Sequence, residues 1–61
     1  MSVSLADQIR AVGREVGMRR STYAKWVKSG RMTQHEADRE LAAMESVYQT
    51  LKELQRDTED R

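Results

Sequence analysis

The chain has 61 residues, enough for one domain at most and close to the lower size limit for independent folding. It has no cysteine and no proline, which excludes disulfide and thiolate–metal stabilisation. Its 38% hydrophobic and 34% charged residues match a helical bundle or coiled coil better than a compact globule.

From the N-terminus, Met1-Ser2-Val3-Ser4-Leu5 has neither the charged start nor the apolar core of a signal peptide. No apolar run approaches the roughly 20 residues that a membrane span requires. Cytoplasmic residence is the resulting expectation. The first helix is predicted over about 4–29, with Ser4 as its N-cap and Asp7 in an acidic first turn. Its apolar positions are Leu5, Ile9, Val12, Val16, Tyr23, Trp26 and Val27, a heptad pattern in which Arg19 occupies one core position. Gly13 and Gly17 mark either a close helix–helix approach or a weak point, since a glycine inside a helix costs about 0.8–1 kcal/mol against alanine.

Gly30 supplies the left-handed residue that ends a helix. Thr33 and Glu36 have the capping-box spacing that starts the next one. The second helix is predicted over 34–56, with Ala37, Leu41, Met44, Val47, Tyr48, Leu51 and Leu54 forming a wide apolar stripe. Residues 57–61 lack an apolar anchor and read as a frayed tail of the single domain 1–61. The fold class is therefore all-α, a two-helix antiparallel hairpin.

Charge is divided between the two halves. Residues 1–32 hold seven basic and two acidic side chains, hence +5, and residues 33–61 hold four basic and eight acidic, hence −4. A basic helix is thus expected beside an acidic one, with much of its charge neutralised internally. The stripe of the second helix carries more apolar surface than one neighbouring helix covers. Self-association is expected to follow, as a homodimeric four-helix bundle or a higher oligomer.

The segment Met18-Arg19-Arg20-Ser21-Thr22-Tyr23-Ala24-Lys25-Trp26-Val27, continued by Gly30-Arg31-Met32-Thr33, Ala37, Glu40-Leu41, Met44 and Thr50-Leu51, resembles a family of short uncharacterised proteins encoded by phages, prophages and proteobacteria. The likeness spans about residues 9–54. It implies a helical hairpin of viral or prophage origin and carries no settled activity. Where that family shows a proline after the tyrosine this chain has Ala24, which favours an unbroken first helix. A shorter likeness, of Gly30 through Ala37 to the central turn of SHOCT domains, implies an oligomerisation module.

No catalytic motif is present, and no enzyme is expected from so thin a hairpin, which has no room for a water-excluding pocket. His35, the single histidine, reads as solvated in a first turn; with Glu36, Asp38 and Glu40 on different helical faces it forms no metal site, and no cofactor is expected. The candidate partner-binding residues are Arg19, Arg20, Tyr23, Trp26, Lys28 and Arg31. One reading wedges Tyr23 and Trp26 into the hairpin end against Met32, Ala37 and Leu41, under the arginine stems. The other lets Arg19 meet a symmetry-related acid or an anionic ligand, with the aromatics as a protein-binding hot spot.

These features lead to a non-enzymatic interaction protein that self-associates and binds a host protein or a small anionic signalling ligand, modulating a host process such as defence. The alternatives are a small nucleic-acid-binding regulator and a nucleotide-sequestering protein in which arginine forks and rings hold phosphate and base. Nucleic acid is disfavoured, because a helix-turn-helix unit needs a third helix to hold its recognition helix. A membrane-surface role is disfavoured by Gly13, Glu15 and Gly17.

Overall fold

The computed structural model describes residues 2–59 and consists of two helices, α1 (Leu5–Ser29) and α2 (Gln34–Glu59). They pack antiparallel into a rod of 47 × 21 × 15 Å. Its radius of gyration is 14.3 Å, where a compact chain of this length would have about 10.5 Å. This is the all-α hairpin expected from the sequence.

The ends of the helices are set by local chemistry. Ser4 Oγ accepts the Asp7 amide at 3.1 Å, satisfying one of the free donors of the first turn. At the other end Gly30 takes φ 84°, ψ 5°, a conformation that costs other residues roughly 1–2 kcal/mol. Its amide donates to Val27 O at 3.2 Å, and the Arg31 amide donates to Trp26 O at 2.9 Å. These two bonds form a Schellman motif, which turns the chain back on itself. Thr33 then opens α2: the Glu36 amide donates to Thr33 Oγ1 at 3.1 Å, and the Thr33 hydroxyl donates to Glu36 Oε1 at 3.0 Å. The carboxylate thus meets the cap's hydroxyl rather than its backbone amide.

α1 is continuous through Gly13 and Gly17. Only Gly13 is a close approach: a methyl group placed there would lie 3.0 Å from Tyr48 Cε1, whereas one on Gly17 would meet nothing within 4 Å. α2 extends three residues beyond its expected end at 56, so Asp57, Thr58 and Glu59 of the expected tail are helical. The Thr58 hydroxyl donates to Leu54 O at 2.8 Å, which binds the last turn to the one before it. Asp60 and Arg61 lie outside the described residues.

One heptad stripe from each helix forms the seam. Val16, Tyr23 and Ala37 are buried, and Leu5, Ile9, Val12, Val27, Leu41, Met44, Tyr48 and Leu51 are half-buried around them. Val47 and Leu54, which the sequence placed on the α2 stripe, face away from α1 and remain exposed. Internal charge neutralisation is smaller than expected. Among the described residues a single ion pair, Arg20–Glu45, joins the two helices, while Arg10–Asp7 and Arg19–Glu15 lie within α1. Most charges project from the outer faces of the helices and do not reach across. None of the described helices is long and apolar enough to cross a membrane.

Two stability effects follow. Gly17→Ala gains helix propensity without a steric cost and should stabilise the hairpin by about 0.8–1 kcal/mol in urea unfolding at fixed protein concentration. Gly13→Ala must displace the Tyr48 ring and should gain little or lose stability in the same measurement. The carboxyl of Asp7 is held below its ordinary pKa by its bond to Arg10, then by the Ser4 hydroxyl and the charge of Arg10. A lowered folded-state pKa stabilises above the ordinary carboxylate range and ceases to do so as pH falls through the lowered value. The melting temperature of the wild type should therefore exceed that of Asp7→Asn at neutral pH. The gap should close as pH falls below about 4.

Candidate interaction surface

Helical periodicity divides the surface of the hairpin into two flanks and two outer faces. One flank, toward the turn, carries the aromatic pair. Tyr23 is buried against the seam, and Trp26, three residues further on, is 38% exposed. Their ring centroids lie 5.8 Å apart with the planes tilted by 36°, a separation within the range for favourable ring contacts.

Arg19 stands one turn before Tyr23. Its Nη1 donates to Tyr23 Oη at 3.3 Å and its Nε donates to Glu15 Oε1 at 3.4 Å. The bond to the phenol oxygen, supported by Glu15, raises the Arg19 pKa above its ordinary value. The guanidinium therefore stays charged. Its partners belong to its own helix, so the arginine at the core heptad position is satisfied within one chain.

Trp26 forms a ridge between two open grooves. On the α2 side it lines a groove with Tyr23, Met32, Glu36, Arg39 and Glu40. Along α1 it lines a second with Glu15, Met18, Arg19, Thr22 and Tyr23. The wedge reading therefore describes Tyr23, which sits beside Met32, while the indole projects beyond the seam. The backbone below it is well anchored: Trp26 O accepts from the Arg31 amide, the Met32 amide at 3.3 Å and the Ser29 hydroxyl at 3.2 Å.

The six candidate residues do not converge on one site. Arg19, Tyr23 and Trp26 come together as described. Arg20 turns to the opposite flank, where it pairs with Glu45 and borders a groove that includes Gly13, Gly17 and Tyr48. Both partners of that ion pair are solvent-exposed, so it contributes at most about 1 kcal/mol. Lys28 and Arg31 are exposed near the turn, and neither makes an ion pair among the described residues.

Met32, expected from the sequence beside the aromatics, lines the groove on the α2 side of the indole, whereas sequence reasoning missed Met18, which lines the other. It also missed the row Arg10, Arg14, Lys25 and Lys28. Spacings of 4, 11 and 3 place these four cations on the outer face of α1, and among the described residues Arg10 alone is paired, with Asp7. The signal was their helical phase. Counting charge by half-chain hides it. His35 is exposed in the first turn of α2.

Comparison with protein-family models, curated proteins and solved structures finds no match to this chain.

Proposed function

We propose that this chain is a non-enzymatic interaction protein of phage or prophage origin that acts as a self-associated helical hairpin. Its Arg19–Tyr23–Trp26 ridge binds a host protein in the cytoplasm and thereby modulates a host process, with defence as one candidate. The observation that carries this reading is the exposed indole flanked by two grooves, set on a buried tyrosine whose hydroxyl accepts from Arg19. Tryptophan, tyrosine and arginine dominate binding hot spots, and side chains already held in place lose little entropy on binding. The slender form of the rod supports binding over catalysis, since its grooves are open and a reaction site needs a water-excluding cavity. The phage or prophage part rests on the residue pattern from Met18 to Leu51.

Capture from host lysate on immobilised protein, with partners identified by mass spectrometry, tests the reading. Trp26→Ala and Arg19→Ala should each reduce capture of the specific partner about tenfold or more, as expected for a hot-spot truncation. Retained helicity in circular dichroism would show that the variants fold. Undiminished capture by both variants would remove the ridge from the interface.

Arg14, Lys25 and Lys28 on the outer face of α1, which make no ion pair among the described residues, favour a second reading, nucleic-acid binding. Affinity for random-sequence duplex DNA should then fall steeply with salt, and Arg14→Ala with Lys25→Ala should lower the log–log slope by about 2. A flat salt dependence would dispose of it.

A further inference from the structure

Beyond the ridge, the largest exposed aliphatic side chains of α2 are Val47, 47% exposed, and Leu54, 53% exposed. With Ala43 and Thr50 they recur at intervals of 4, 3 and 4, which places all four on one face of the helix. That face lies on the same flank as Trp26 and continues toward the open end of the hairpin. Within 43–54 the charged residues Glu45, Lys52 and Glu53 fall on the other faces of the helix, while Glu40 and Asp57 bound the strip at its two ends. Beside the strip, α1 contributes uncharged Gln8 and half-buried Val12, with the Glu15–Arg19 pair following toward the turn. A neutral strip with exposed aliphatics on an otherwise highly charged chain has the charge depletion found at the core of protein interfaces.

The exposed surface of the rod is large enough to supply one side of an interface. A compact chain of 7.1 kDa exposes about 4,100 Å². This chain exposes 5016 Å², an excess of about 900 Å². That is close to the roughly 800 Å² that each partner contributes to a standard protein–protein interface.

We propose that a second copy of this chain covers the strip, with α2 packed antiparallel on α2 so that Val47 of each copy meets Leu54 of the other. The proposal rests on the self-association reading above and specifies its partner, face and orientation. A two-fold axis then passes beside Thr50, and the same Val47–Leu54 contact forms twice, as an isologous interface requires. Charge favours the antiparallel order. Parallel packing would set Glu36 and Glu40 of the two copies side by side, whereas the antiparallel axis separates the two Glu40 side chains by about 30 Å along the helices. The product is a four-helix bundle. It leaves the Arg20–Glu45 flank and the outer face of α1 in water, with the two Trp26 ridges at opposite ends.

Sedimentation equilibrium across a concentration series tests this with the full chain, alongside Val47→Glu/Leu54→Glu and two single-cysteine variants. The native chain contains no cysteine, so an introduced thiol reports only on its own position. The wild type should sediment as a dimer of roughly 14 kDa, twice the 7.1 kDa of the chain. The double glutamate variant should weaken that dimer about tenfold or more, because each buried carboxylate lacks a partner. Under mild oxidation Thr50→Cys should form an inter-chain disulfide, and Gln49→Cys, on another face, should not. If the glutamate variant unfolds, the cysteine pair decides the matter alone. A wild type that is monomeric at every concentration overturns both self-association and this interface. A wild-type oligomer that cross-links equally at both cysteines, or at neither, overturns the interface and leaves self-association standing. A trimer or larger ring overturns the two-fold arrangement.

Discussion

A single seam between two helices supports the whole structure. Each helix has one heptad stripe facing the other, and among the described residues only Val16, Tyr23 and Ala37 are buried in it. Two cylinders in contact along one line leave most of their circumference in water. Charge therefore lies outside, apolar positions beyond the seam remain wet, and no polar or charged residue is buried among those described. Every apolar residue outside the seam is either tolerated exposure or a place for something else to pack.

The turn end is where the seam is best defended. Tyr23 is buried there, Ala37 admits the close approach of α2, and the Schellman motif at Gly30 holds the two helices at that spacing. Arg19 lies on the margin of the seam and keeps its charge partly in water, with Glu15 and the Tyr23 hydroxyl as its partners within α1. Toward the open end the seam residues Leu5, Ile9, Val12, Tyr48 and Leu51 are only half-buried. Gly13 lets the Tyr48 ring approach the α1 backbone, and the Lys52 ammonium covers that ring from outside at 5.3 Å from its centroid.

Features that depend on a few neighbouring residues were legible in the sequence. Ser4, Gly30 and Thr33 mark helix ends because capping bonds span only three to five residues, and each acts in the structure as its type and spacing imply. The hairpin followed from these three positions and the two periodic stripes. What depends on the rotation of one helix against the other was not legible. A stripe that includes both Tyr48 and Val47 is too wide to show which edge faces inward, and only packing shows that Tyr48 is covered while Val47 is not. The same ambiguity separated Arg19 from Arg20. Adjacent residues on a helix point about 100° apart, enough to send one to the aromatic flank and the other to Glu45. The end of α2 was misplaced because the bond from Thr58 back to Leu54 leaves no trace in hydrophobic periodicity.

The residue whose carbonyl gathers the hydrogen bonds of the turn gives the chain a built-in optical reporter. The chain contains one tryptophan, and it occupies the position where the backbone of the turn is anchored. Its indole borders the groove lined by Met32 and by Glu36 and Glu40 of α2, and is otherwise open to water. Emission from this ring thus senses whether the two helices are closed on each other, whereas far-ultraviolet circular dichroism senses only whether they are helical. Loss of the hairpin and loss of the helices can be observed separately in the unlabelled protein.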